Sequence, residues 1–388
     1  MHVILTIAGL DQRAGGTSQT VARTAQHLVD TGCAVTVLTF ASDEAPVEVP
    51  SAPELTVHRV ETGRHSWHLW GNLRRFRDRL RHCLQTSDTA TIVHDNGIWR
   101  PVNHVVARAA ERTGVPRVVS THGMLEPWTV RHKRFKKRVA WWLYQRRDLH
   151  RANLLHATAE AEARTLRDTG LPNPIVVAPN GVEMPSVPAE NGAPCAKPRV
   201  FLFLSRIHEV KGLPNLVDAW ARLRPEGWKV VVAGPGEHGH EQTVRERVQA
   251  RGVDSDFEFV GPVEGERKEA LFRRADAFVL PTHSENFGIV VAEALSYGVP
   301  VITTRGAPWQ DLEAYNCGWW VDVGVDPLVT ALEEAVQLPA AERAAMGRRG
   351  RELVQRKYTW SRVAETLKHT YEWVLGGEEQ PAAVSLRN

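Results

Sequence analysis

Pro281-Thr282-His283-Ser284-Glu285-Asn286-Phe287-Gly288-Ile289-Val290-Val291-Ala292-Glu293-Ala294-Leu295 decides how the chain is read. The apolar run before it, Ala277 to Leu280, has the length and composition of a buried strand. An apolar helix follows from Ile289 to Tyr297, closed by Gly298 and Pro300. The stretch is therefore the turn of a strand–helix unit. Glu285 falls in the turn, and Glu293, eight residues on, lies inside the helix. Between them Asn286, Phe287 and Gly288 bring backbone N–H groups to a helix N-terminus, where unpaired donors and the helix dipole attract anions. A carboxylate beside an anion site suits a ligand that also offers hydroxyls, and a sugar nucleotide offers both.

The same alternation extends outward in both directions. Strands are expected over 3–8, 34–40, 55–59, 91–94, 116–121, 154–157 and 174–177, with helices over 18–31, 69–84, 101–113 and 159–169. The segment 181–198 carries Pro185, Pro188, Pro194 and Pro198 with little apolar periodicity, and reads as a linker. The pattern then restarts, with strands over 200–204, 229–233, 257–260, 277–280 and 299–303 between helices over 212–223, 241–251, 267–274 and 289–297. Helices over 326–337, 340–357 and 360–375 finish the fold, and the polar tail 376–388 is expected to fray. Strands spaced by such helices imply an α/β fold with two Rossmann-like parallel-sheet domains, 1–180 and 199–358. Two such sheets facing each other place a cleft at the carboxyl ends of their strands.

Bulk composition agrees with this reading. A chain of 388 residues, 43% hydrophobic and 24% charged, can bury two ordinary cores. A net charge of only +3 gives no general argument for nucleic acid. Cys33, Cys83, Cys195 and Cys317 lack metal-ligand or disulfide-framework spacing, which fits a reducing, cytoplasmic compartment. The amino terminus has no basic lead-in and reads as a strand, not a signal peptide. No run is long enough for a membrane-spanning helix.

Several other turns carry candidate chemistry. Gly15-Gly16 sits between the first strand and its helix, where paired glycines allow close approach of a phosphate or sugar, or simply make a tight turn. Arg206, after strand 200–204, and Lys211-Gly212, at the next helix start, can clamp a diphosphate; the plain alternative is solvated surface charge. Gly234-Pro235-Gly236-Glu237-His238-Gly239 matches GxGxxG after a strand, but no clear acidic residue closes the following strand, so it is read as a nucleotide-side loop and not as an NAD site. His122, in Thr121-His122-Gly123-Met124-Leu125-Glu126-Pro127-Trp128, ends a buried strand and could contact a sugar hydroxyl; a lone His is more often structural. His94-Asp95-Asn96 ends another strand, where Asp95 and Asn96 either contact an acceptor or cap the helix that Pro101 starts.

The strongest charge feature is Arg131 to Arg147. Phe135, Val139, Trp142 and Leu143 fall on one helical face, with Lys133, Arg134, Lys136, Lys137 and Arg138 around it. A basic, Trp-rich amphipathic helix suggests an anionic membrane surface. The aromatic face packing on the sheet is the plain alternative, and nucleic acid a third, which the absence of any nucleic-acid motif disfavours.

Together these residues resemble the family-4 retaining glycosyltransferases of GT-B fold. Glu285 and Glu293 look like that family's E-x7-E motif, Arg206 and Lys211-Gly212 its diphosphate-binding pair, Gly15-Gly16 its glycine loop and Asn180-Gly181-Val182 its hinge. The segment from His122 to Trp128 with the basic helix is similar to members acting in bacterial exopolysaccharide or O-antigen assembly. The resemblance implies a catalytic set of His122, Glu285, Arg206 and Lys211. It implies donor contacts from Gly15, Gly16, Val263 in Gly261-Pro262-Val263, Asn286, Phe287, Gly288 and Glu293, and weaker acceptor-side contacts from Asn96, Glu126 and Trp128. Arg206 and Lys211 would neutralise the diphosphate, Glu293 would accept ribose hydroxyls, and Glu285 and His122 would lie near the donor sugar. The acceptor would be a glycan or a polyprenyl-linked sugar, helix 359–375 would pack back towards the first domain, and no metal or cofactor is implied. Ser205 stands where many members have Gly, which crowds the phosphate. A sugar-nucleotide epimerase of the same fold, a dehydrogenase resting on the glycine loop alone and a non-catalytic membrane-bound sugar-binding protein are the competing expectations.

Overall fold

The computed structural model describes residues 1–11, 16–63, 69–126, 129, 134–186 and 198–386. The chain forms two compact units, Met1–Gly181 with Trp360–Asn388, and Val182–Thr359.

In the first unit the strands are β1 His2–Gly9, β2 Ala34–Phe40, β3 Leu55–Val60, β4 Thr91–Asn96, β5 Arg117–Ser120, β6 Leu154–Ala157 and β7 Ile175–Val177. Between them lie α1 Gly16–Asp30, α2 Leu69–Gln85, α3 Pro101–Thr113, α4 Arg134–Ala140, a π-turn Trp141–Gln145, α5 Arg146–His150 and α6 Glu160–Asp168. All seven strands are parallel, in the order β7-β6-β5-β4-β1-β2-β3. The central strands β1, β2, β4, β5 and β6 are buried on both faces along most of their length, whereas the edge strand β3 is mostly half-buried or exposed. Successive strands run outward from β1 in one direction and from β4 in the other. A crevice therefore opens beyond the carboxyl ends of these two neighbours.

Helix Trp360–Val374 belongs to this unit and buries Val363, Ala364, Leu367 and Tyr371 in its core. A buried polar chain fixes it to the sheet. His156 Nε2 lies 2.7 Å from the Ala178 carbonyl, which can only accept, so His156 donates there and its Nδ1 accepts from Ser120 Oγ at 2.6 Å. Ser120 Oγ then accepts from His94 Nε2 at 2.6 Å, and His94 Nδ1 accepts from the Tyr371 hydroxyl at 2.6 Å. This is the direction that two neutral imidazoles give. Burial holds both below the usual histidine range.

The chain end differs from expectation. Val384–Ser385 does not fray but pairs antiparallel with β7, with Val384 buried and the Arg167 guanidinium donating to the Ser385 carbonyl at 2.7 Å. An unpaired edge strand supplies the template, and one apolar side chain suffices to seat the segment.

The second unit has β8 Arg199–Leu204, β9 Trp228–Ala233, β10 Phe257–Gly261, β11 Ala277–Leu280, β12 Val301–Thr304 and β13 Gly318–Val321. Its helices are α7 Leu213–Leu223, α8 His240–Arg251, α9 Gly265–Arg274, α10 Ile289–Ser296, α11 Asp311–Ala314, α12 Val325–Gln337 and α13 Ala340–Lys357. The remaining elements are then α14, the helix Trp360–Val374, and β14, the strand Val384–Ser385. The second sheet is parallel, in the order β10-β9-β8-β11-β12-β13. Its direction reverses between β8 and β11. β13 and α11 are absent from the sequence reading, since Gly318-Trp319-Trp320-Val321 and Asp311-Leu312-Glu313-Ala314 are too short to show a period.

Candidate active site

In the second unit the sequence-selected groups gather where the sheet reverses. Lys211 ends a 3₁₀ turn, Glu209–Lys211, beyond β8, and Glu285 lies in the loop beyond β11. Their side chains form an ion pair and are only 10% and 13% exposed. The two loops are laced together by backbone. His283 N donates to the Val210 carbonyl at 2.7 Å, and Thr282 Oγ1 donates to the same oxygen at 3.0 Å. Gly212 makes this approach possible. Its φ is +67°, and a Cβ there would sit 1.9 Å from the Pro281 carbonyl oxygen. Glu285 N donates to the Gly306 carbonyl at 2.8 Å, which ties in the loop after β12.

Gly288 is the N-cap of α10 at φ +77°, so the first amides of that helix open beside Glu285. Phe287 turns inward. It is buried against Trp309 and Tyr358, with ring centroids 5.3 and 5.8 Å away, and its carbonyl accepts from Trp309 Nε1 at 2.6 Å. Its side chain is thus a core anchor for the loop, and its carbonyl is tied to the same core. Glu293 lies in the second turn of α10 and pairs with Lys268 of α9 at 2.6 Å. Arg206 does not join Lys211; its exposed guanidinium contacts Glu237 at 2.9 and 3.1 Å, in the loop after β9. That loop is zipped to Arg206's own, with Ile207 N donating to the Pro235 carbonyl at 2.8 Å and Glu237 N to the Ile207 carbonyl at 3.1 Å. Gly234 packs its Cα on the Ser205 carbonyl, where a Cβ would meet oxygen at 1.9 Å. Val263 follows β10 and is half-buried against the core.

The first unit holds the other candidates. His122 follows β5 with φ +47°, a left-handed conformation uncommon for a residue with a Cβ. Asn96 Nδ2 donates to the His94 carbonyl at 3.2 Å, so Asn96 Oδ1 accepts from His122 Nε2 at 3.1 Å. This leaves Nδ1 of a neutral His122 ring as an acceptor. Burial pushes His122 down to about 4, with Glu162 opposing and His156 adding to the shift. Asn96 also lines a cavity of about 430 Å³ at the reversal between β1 and β4, with Asp11, Ser42, Arg100, Asn103 and Met124. Neither Asp95 nor Asn96 caps α3, whose N-cap is Arg100. Asp95 instead accepts from Thr6 and Asn103 at 2.9 and 3.0 Å, and burial raises it to about 6. Glu126 is half-buried, accepts from Thr165 Oγ1 at 3.3 Å and is raised by desolvation. Gly16 is the first residue of α1. Gly15 and Trp128 lie outside the described residues.

Sequence reasoning missed Glu162. This buried carboxylate accepts four bonds at once, from Thr121 Oγ1 at 2.7 Å, Gly123 N at 2.6 Å, Thr158 N at 2.8 Å and Thr158 Oγ1 at 2.9 Å. It clamps the residues on either side of His122 and so holds that strained backbone. The available signal was a carboxylate sharing the apolar side of α6 with Ala163 and Leu166. Lys268 and Trp309 were also missed, as was the pairing of Glu237, in the nucleotide-side loop, with Arg206; each contact joins residues far apart in sequence. Among the described residues, no group of three or more His, Cys, Asp or Glu is placed to hold a metal ion.

Comparison with known proteins follows the two units. The family described as Glycosyl transferase 4-like domain matches residues 15–181, and the family Glycosyl transferases group 1 matches residues 190–353. A D-inositol 3-phosphate glycosyltransferase of Stackebrandtia nassauensis is 27% identical over 96% of this chain and 89% of its own. The sucrose-phosphate synthase of Thermosynechococcus elongatus superposes with a TM-score of 0.77 at 18% identity, covering 96% of this chain and 99% of that one. The Anabaena protein HepE, in complex with UDP, superposes with a TM-score of 0.75 at 17% identity, covering 96% and 100%.

Proposed function

We propose that this chain, which belongs to the family-4 glycosyltransferases of GT-B fold, is a retaining, metal-independent enzyme of bacterial surface polysaccharide synthesis. It moves a sugar from a nucleotide-diphosphate sugar to a glycan or polyprenyl-linked acceptor. The carrying observation is the Lys211–Glu285 pair at the reversal point of the second sheet. One cation and one carboxylate meet there beside a helix N-terminus. Lys211 Nζ has three donors, so diphosphate oxygens can share it with Glu285. Arg206 adds a second cation once it leaves Glu237. These cations stabilise the departing phosphate, where charge grows most in an oxocarbenium-like transition state. Glu285 holds sugar hydroxyls and offsets positive charge at the anomeric carbon. Glu293 takes the ribose hydroxyls. Neutral His122 accepts a sugar O–H at Nδ1, and the leaving phosphate takes the acceptor's proton.

The acceptor is assigned to the first unit's cavity, where Asn96 and Arg100 offer polar contacts. The enzyme works in the cytoplasm at the inner membrane face, with contact through Arg131–Arg147; residues 131–133 of that stretch lie outside the described ones. Among the described residues, no helix is long and apolar enough to cross a membrane.

The test is a donor labelled in the sugar, incubated with lipid-linked glycans and followed by NMR of the product's anomeric proton. The reading predicts transfer with the donor's configuration kept and no loss of rate in EDTA. Label that stays on the nucleotide as a new epimer, or a product of inverted configuration, would overturn it.

A further inference from the structure

We infer that the outward face of 135–143 inserts into an anionic lipid interface, and that the same helix grips the loop 97–100 beside the acceptor cavity, so that docking orders this loop. The inference rests on the proposed membrane contact; it adds which face enters the lipid and what that face controls.

The helix is uncovered where a soluble helix would be polar. Phe135 is 81% exposed, Trp142 75%, Leu143 74% and Val139 43%. They lie at i, i+4, i+7 and i+8 and form one apolar strip. Lys136, Arg138, Arg146 and Arg147 are exposed around it. No acid lies within 131–147, and the next one, Asp148, is buried and bonded to His104 at 2.7 Å. An apolar strip flanked by exposed cations of its own segment matches an interface of acyl chains under anionic headgroups. A second copy is a poor occupant, because a two-fold pairing would set these cations against each other.

The opposite face holds a strained loop. Tyr144 donates its hydroxyl to the Trp99 carbonyl at 2.8 Å, and Gln145 Oε1 accepts from Trp99 N at 2.7 Å. Trp141 packs on the Trp99 ring at 6.2 Å, and Lys137 Nζ lies over that ring at 5.7 Å. Lys137 thus serves the inner face and not the lipid. Trp99 has φ +75° and Gly97 +107°, so the loop depends on these grips for its shape. Gly97, Ile98 and Arg100 line the 430 Å³ cavity. Trp141, Tyr144 and Gln145 all lie in the π-turn, a wider turn of the kind often found at functional sites. One short helix therefore carries a lipid-facing strip and the clasp of the cavity loop.

The experiment uses the full chain with vesicles of phosphatidylcholine alone or mixed with phosphatidylglycerol. Sedimentation is expected to pellet wild type with the anionic vesicles only, and the combined Phe135→Glu, Trp142→Glu, Leu143→Glu variant roughly tenfold less. Since these side chains are exposed, the variant should keep the wild-type melting temperature. Amide exchange at Ile98 and Trp99 should slow when wild type binds vesicles and stay unchanged in the variant. Equal pelleting of variant and wild type would overturn the assigned face while leaving the membrane contact standing. Wild type that pellets with neither vesicle would remove the membrane contact itself, and a dimer that the variant converts to monomer would make a second copy the occupant. Binding without slower exchange at 98–99 would overturn the coupling.

Discussion

Glu162 is the residue whose contribution is easiest to isolate. Replacing it by Ala leaves four donors around His122 without their acceptor, at a cost of about 1–3 kcal/mol per group left buried and unmatched. Glu162→Ala is expected to lower the denaturation midpoint and to lower kcat more than it raises donor KM, because His122 moves while the second unit's donor site is untouched. Glu162→Gln keeps one acceptor oxygen and should recover part of both losses. An unchanged kcat in the Ala variant would separate this carboxylate from turnover. Residues of this kind are hard to read from sequence. Glu285 and Lys211 stood out because each sits at a turn with glycines. Glu162 looks like any helix carboxylate until Thr121, Gly123 and Thr158 are brought to it.

The βα turns are the elements that make the site, and the sequence shows most of them. Ala34–Phe40, Pro101–Thr113, Leu154–Ala157, Ala277–Leu280 and Ala340–Lys357 form over the spans that their apolar periods predict. Such periods are local, so they survive without tertiary information. Short elements whose stability is entirely tertiary, β13 and β14, leave no period. The turn at Gly212 shows how sharply an element can depend on one atom. Gly212→Ala places a methyl on the Pro281 carbonyl and strains a left-handed φ, so the loops of β8 and β11 must separate. Lys211 and Glu285 would part with them. The variant is expected to lose at least tenfold in kcat/KM, over 1.4 kcal/mol, while far-UV circular dichroism stays unchanged. Wild-type kinetics in this variant would show that the pair tolerates a shift of its loops.

For the whole molecule, acid is the informative variable, because the first unit buries histidines in neutral form. His122 is lowered to about 4 in the folded chain against 6.5 unfolded. Between these values the unfolded state binds more protons, so this contribution is complete above about pH 6.5 and is lost as pH falls towards 4. His94 and His156 act in the same direction. Asp95, raised to about 6, acts in the opposite one: its native state binds more protons between 3.8 and 6, so it gains stability as pH falls. A difference measurement isolates His122. The stability gap between wild type and His122→Asn in urea should shrink from about pH 7 to about pH 4.5, by up to a few kcal/mol. A gap that does not change with pH would place His122 in solvent.

The central claim is that the second unit holds a nucleotide-diphosphate sugar through Lys211, and thermal shift tests it most directly. Wild type and Lys211→Ala are melted with UDP-, GDP-, ADP- and dTDP-sugars, each far above its dissociation constant. A ligand that binds only the native state at a hundredfold excess adds about 2.7 kcal/mol. The account predicts that at least one of these donors raises the wild-type midpoint, that Lys211→Ala loses most of that rise, and that the variant's turnover falls about a hundredfold, near 3 kcal/mol in the barrier. No shift with any donor, or an equal shift in the variant, would contradict it.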